Sequence, residues 1–210
     1  MVALALLVVS VPPLLPAGTL LARPGAPVFV LLRGLLAGAF FGAEVLVPLL
    51  AAARPGGGPA LSGLLLAAGS LGWAAGSWIQ GRRADPRRLI VGGCLLITGG
   101  TPLMLTGAVP VVAGGWFLAG IGMGLAFATV NRLALEAAEP AEQGRTSSAL
   151  HVSDTVASIL TTGVGATVVT ATGRFGAALA MTAGFAAVAA VIALLRTHPR
   201  EPGMVAADSA

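Results

Sequence analysis

Lysine is absent from the chain, and all twelve basic side chains are arginines. Without that amine there is no retinal Schiff base, which excludes a seven-helix photoreceptor on chemical grounds. Charge of either sign is scarce, at 10% of 210 residues, whereas a soluble domain carries about a quarter. Cys94 is the only cysteine, so no internal disulfide, CxxC motif or Cys/His metal cluster can form. His151 and His198 are far apart in sequence, and no metal or cofactor is expected. No aromatic-rich basic surface points to nucleic acid, and the formal charge of +4 sits in short loops between apolar runs. There it reads as a topology signal.

What remains is apolar. Hydrophobic residues make up 56% of the chain and thirty residues are glycine; the mean hydropathy is +0.93. Such a chain is solvated mainly by the lipid bilayer. A membrane helix needs about 20 mostly apolar residues. On that criterion seven segments are predicted, at 1–15, 28–52, 61–80, 89–108, 111–132, 147–171 and 175–195. The first is short and holds Pro12 and Pro13. It lacks a basic region before its apolar run, and reads as a membrane helix cut short rather than a cleaved signal peptide. The breaks carry turn chemistry: RPGAP, RPGGGP, GRRADPRR and EPAEQGR.

Arginine placement orients the bundle. One side collects Arg23, Arg82, Arg83, Arg87, Arg88, Arg132, Arg145, Arg196 and Arg200, and the other only Arg54 and Arg174. Nine against two predicts that the first side, with the C-terminus, is cytoplasmic. The location expected is the cell (inner) membrane. The polar tail 197–210 is expected to be disordered.

Two stretches echo each other. Leu36-Ala37-Gly38 sits in GLLAGAFFGA, and Leu118-Ala119-Gly120 in WFLAGIGMGLA; residues 61–77 faintly match 147–163. One triplet of helices would start in the cytoplasm and the next outside, an inverted 3+3 repeat of the kind found in transporter halves. Through LLRGLLAGAFFGAE, GSLGWAAGSWIQGRR and GWFLAGIGMGLAFATVNRLALE, residues 28–196 resemble the C-terminal half of a major facilitator superfamily transporter. The type it resembles is the drug-efflux-like one of high-GC actinobacteria. Residues 1–22 resemble the last helix and exit loop of the N-terminal half. The family's basic motif between second and third helices falls on Gly76, Gln80, Arg82, Arg83, Arg87 and Arg88. Gln80 replaces its aspartate and the spacing is stretched, but the positive charge is kept. The resemblance implies an all-α polytopic membrane protein. It would be a six-helix half-bundle over 23–196, preceded by one short extra helix.

Candidate chemistry starts with Arg33 and Glu44. Eleven residues is about three turns, so they share a helix face about 16 Å apart and cannot pair. Arg33 can snorkel to headgroups, or it can anchor an anionic substrate group or a partner carboxylate. Glu44 is deeper and should face a cavity or a helix; a desolvated carboxyl can load and release a proton near neutral pH. Phe40 and Phe41 put aromatic surface beside it. Ser148, His151, Asp154 or Thr155, Ser158, and Thr161 or Thr162 form a polar stripe on the sixth segment. His151 and Asp154, at i, i+3, could shuttle protons; alternatively, cytoplasm wets both and the hydroxyls bond their own backbone. Asn131 is either a substrate contact or a helix-terminal residue, and Arg132 and Glu136 suit an i, i+4 salt bridge. Trp78 reads as an interfacial anchor, and Trp73 as a stacking or packing residue. Gly69, Gly72 and Gly76, with Gly120 and Gly124, have small-xxx-small spacing for close helix packing.

The function expected is proton-coupled efflux or uptake of a small organic molecule. The chain would act as a half or truncated transporter that needs the missing first half or a homodimer. The alternatives are an inactive fragment and a structural or assembly subunit. A membrane-embedded enzyme is less favoured, because Ser153-Asp154 beside His151 on one helix lacks the geometry of a triad.

Overall fold

The computed structural model describes residues 12–82 and 85–197. Among the described residues there are seven α-helices: α1 (Ala26–Glu44), α2 (Leu46–Ala52), α3 (Pro59–Gln80), α4 (Pro86–Leu103), α5 (Val109–Glu136), α6 (Gln143–Thr172) and α7 (Phe175–Arg196). Short 3-10 turns occupy Pro12–Leu14, Thr19–Leu21 and Pro140–Glu142. No strand occurs among the described residues. The protein is an all-α polytopic membrane protein.

Proline and glycine set the boundaries. Pro27, Pro59, Pro86 and Pro110 sit in the first turns of α1, α3, α4 and α5. A missing N–H does no harm there, since first-turn donors have no partner within the helix. Asp85 caps α4, its carboxylate accepting from the Arg87 N–H at 2.9 Å. Gly173, at φ 67°, ends α6 in the left-handed region, where its N–H reaches Val169 O at 2.8 Å. The expected 28–52 span is interrupted after Glu44 because Pro48 cannot donate to the Glu44 carbonyl. Val45 keeps helical angles, so α1 and α2 still run as one 27-residue span.

Among the described residues five spans are long and apolar enough to cross a membrane: Ala26–Ala52, Pro59–Gln80, Val109–Glu136, Pro140–Thr172 and Phe175–Arg196. The expected 89–108 segment is not among them. Its helix starts earlier, at Pro86, takes Arg87 and Arg88 into its first turn, and stops at Leu103. Pro102 withholds one N–H in the last turn, and the Thr106 hydroxyl donates to Leu103 O at 2.9 Å. Eighteen residues give a helix of about 27 Å, just short of a hydrocarbon core of about 30 Å. The expected first segment lies mostly outside the described residues, as do Arg83, His198, Arg200 and nearly all of the tail.

The helices pack in two related triplets. α1 lies on α6 just as α5 lies on α3, while α4 also packs on α5 and α7 on α1. Each triplet's first helix thus docks on the second helix of the other, the pattern a two-fold pseudosymmetry requires. Lipid offers helices no hydrophobic reason to associate, so close approach must supply the energy. Glycine makes that approach feasible. A Cβ on Gly72 or Gly76 would run into the Phe117 or Ile121 backbone oxygen on α5. One on Gly120 or Gly124 would meet the Gly69 or Trp73 oxygen on α3. A second seam, at Gly34, Gly38 and Gly42 of α1, meets Ser153 and Thr161 of α6 and Phe185 and Thr182 of α7.

Candidate functional site

Arg33 lies about 10 Å inside the start of α1. Its Nε and Nη2 donate to Asp154 Oδ2 on α6 at 3.0 and 2.8 Å. Its Nη1 donates to Asn131 Oδ1 on α5 at 2.7 Å. The guanidinium carbon sits 4.0 Å from the centroid of the Phe127 ring, also on α5. Side-chain exposure is 8% for Arg33 and 14% for Asp154. The snorkelling alternative is therefore corrected: Arg33 turns inward, because a carboxylate, an amide and an aromatic face together replace its hydration.

His151 and Asp154 do not pair. Two N–H groups converge on one Asp154 oxygen from α1, while His151 stands exposed. Most hydroxyls of the polar stripe bond their own helix: Ser148 to Gly144 O, Ser158 to Asp154 O, Thr161 to Ala157 O. Thr162 is half-buried. Ser153 instead crosses to α1, donating to Val30 O at 2.8 Å.

An aromatic wall continues from the charge cluster. Phe127 meets Trp73 edge to face with centroids 5.6 Å apart, and Trp73 meets Phe40 at 5.3 Å. Phe40 stacks on Trp116 at 4.6 Å. Phe41 lies 5.8 Å from Phe40 and 6.0 Å from Trp73. Each such pair contributes roughly 0.5–1.5 kcal/mol beyond the area it buries. Trp116 is 1% exposed, and its Nε1 finds no acceptor among the described residues.

Glu44 stands apart. It ends α1, half-buried, with no hydrogen bond or ion pair among the described residues. At the arginine-rich end, Arg132 and Glu136 form the i, i+4 pair at 2.8 Å. Arg82 lies 3.5 Å over the ring of Trp78, which is 64% exposed. Gly76 of the basic motif is a packing residue, and Gln80 is half-buried at the end of α3. Arg87 donates to Leu194 O at 2.6 Å, and Arg88 lies 3.6 Å from Asp85.

Sequence reasoning had named Arg33, Asp154 and Asn131 separately, and Phe40, Phe41 and Trp73 likewise. It missed Phe127 and Trp116. Phe127 was detectable, since it stands at i−4 to Asn131 and so on the same face.

A polytopic α-helical bundle with glycine seams, joined across three helices by an intramembrane charge cluster, has the build of a membrane transporter. The family model described as Major Facilitator Superfamily matches residues 2–149 and 35–209, and the chain belongs to that superfamily. No curated protein matches the chain. Membership makes it a multi-pass membrane protein of a transporter family.

Proposed function

We propose that the bundle forms one wall of a secondary active transporter that moves a small organic molecule, coupled to protons. The observation that carries this is the buried Arg33–Asp154–Asn131 cluster beside the Phe40, Phe41, Trp73 and Phe127 wall. Charge is expensive within a bilayer and is kept where a pathway uses it. The proposed site pairs a charged end with an apolar, aromatic one, as an amphipathic organic molecule requires. Glu44, unpaired on the same α1 face, is the proposed proton carrier.

α3 and α6 support the need for a second bundle. They are the least buried of the long spans, yet α6 exposes His151 and Thr155. In the proposal a further six-helix bundle covers them, either a first half or a second copy. The arginine-rich end faces the cytoplasm of a cell whose inner membrane holds the protein. The drug-efflux-like type belongs to the same proposal.

The test is reconstitution into liposomes under a proton gradient, with a fluorescent dye as cargo. The chain alone should be inactive. Co-reconstitution with a first half, or enforced dimerisation, should give gradient-dependent flux. Flux by a demonstrably monomeric 210-residue chain would refute the need for a second bundle. No flux in any arrangement would refute the transport reading.

A further inference from the structure

At the arginine-rich end, away from the charge cluster, the first turn of α1, the start of α4 and the ends of α5 and α7 enclose a cavity of about 490 Å³. That volume is typical of a small-molecule site. Val28, Phe29 and Leu133 give it an apolar floor, and Arg87 and Arg196 line it as well. Two carboxylates are also present, Asp85 and Glu136, but each has an arginine: Arg88 at 3.6 Å and Arg132 at 2.8 Å. Arg87 and Arg196 have no carboxylate partner among the described residues, so the site carries a surplus of positive charge. Arg87 spends one N–H on Leu194 O at the end of α7, while its buried Nε–H has no acceptor among the described residues. The N-terminus of α4 does not supply the attraction, since Asp85 already takes the Arg87 amide.

We infer that this cavity is a binding site for a phosphate ester of net negative charge, with the two guanidinium groups on the phosphate and the apolar floor under its carbon skeleton. The inference does not depend on the transport reading. Planar guanidinium forks suit phosphate oxygens better than an ammonium does. The ligand chemistry is shared by an anionic glycerophospholipid headgroup and a soluble glycerol phosphate.

Native mass spectrometry of the full chain, released from nanodiscs, separates the sources. One set of discs is pure phosphatidylcholine and another contains phosphatidylglycerol; soluble glycerol 3-phosphate is added to the first set. Retention of one phosphatidylglycerol per chain, with no retention of glycerol phosphate, identifies a headgroup. Retention of glycerol phosphate from phosphatidylcholine discs identifies the soluble ester. Arg196→Gln, which removes an exposed side chain outside the packing, should weaken the bound species roughly fivefold. Leu133→Trp, which fills the cavity without changing charge, should also displace it. Arg174→Gln, at the opposite end of α7, should leave it unchanged. Equal retention of both phospholipids without glycerol phosphate binding would overturn the proposal. So would equal losses in Arg196→Gln and Arg174→Gln.

Discussion

Replacing Asp154 with alanine should cost more than replacing its partner. In the native bundle two N–H groups of Arg33, at 3.0 and 2.8 Å, rest on one carboxylate oxygen, and both side chains are nearly buried. Removing the carboxylate leaves a guanidinium with Asn131 and Phe127 alone. Arginine cannot shed its proton, so the charge stays, and losing one member of a buried pair costs about 3–5 kcal/mol. In Arg33→Met the remaining carboxylate can take up a proton and neutralise itself, so the loss should be smaller, about 1–3 kcal/mol. The double variant Arg33→Met, Asp154→Ala buries no charge and should be more stable than Asp154→Ala by itself. Reversible unfolding of the purified chain in mixed micelles, followed by circular dichroism, gives the three values. Additive losses, or a double variant weaker than both singles, would refute the claim that this pair is the dominant interaction of Arg33.

Gly72→Leu should separate α3 from α5 and cost at least about 2 kcal/mol, because its side chain meets the Phe117 backbone; Gly63→Leu, with open space around it, is the control and should unfold like the native chain in the same assay. In a Cys94→Ala background, Asp85→Cys should resist an impermeant maleimide applied to intact cells and label after lysis; labelling from outside would reverse the proposed orientation. Once a second bundle restores transport, Glu44→Gln should abolish proton coupling while binding persists; unchanged coupling would make Glu44 structural.

The helices were legible because a bilayer demands about 20 apolar residues and little charge. The glycine pairs were legible for a related reason, since spacing alone puts Gly69, Gly72, Gly76, Gly120 and Gly124 on contact faces. The weak echo of Leu36-Ala37-Gly38 in Leu118-Ala119-Gly120 proved informative. Gly38 and Gly120 both lie in close seams, one against α6 and α7, the other against α3. Other features were hidden by the limits of local pattern. Asp154 was matched with His151 because i, i+3 neighbours are visible in a sequence, whereas its partner Arg33 is 121 residues away. Trp116 sits in an unbroken apolar run, where nothing distinguishes a face toward Phe40 from a face toward lipid. The break after Glu44 was signalled by Pro48, but hydropathy runs straight through it. The early end of α4 was signalled by Pro102 in the same way.

The two faces of α1 explain why the charge cluster can exist at all. At 100° per residue, Arg33, Phe40 and Glu44 fall within about 40° of one another. Gly34, Gly38 and Gly42 lie roughly 100–180° from Arg33. The glycine face lets Ser153 and Thr161 of α6, with Phe185 and Thr182 of α7, seat directly against the α1 backbone. Asp154 is therefore brought within reach of a guanidinium that leaves α1 from its other face. Had the seam been built from leucines, α1 and α6 would stand farther apart. Arg33 would then have to choose between Asp154 on α6 and Asn131 on α5. Close packing lets one side chain hold both, and so ties the first triplet to two helices of the second at a single depth. A turn or two deeper, Phe40 bridges the triplets again by stacking on Trp116. Glu44 ends the same face without a partner among the described residues, next to the carbonyl to which Pro48 cannot donate. Along one helix face, pairing thus weakens step by step from a locked ion pair, through an aromatic stack, to an uncommitted carboxyl. That gradient leaves Glu44, the proposed proton carrier, where the bundle constrains it least.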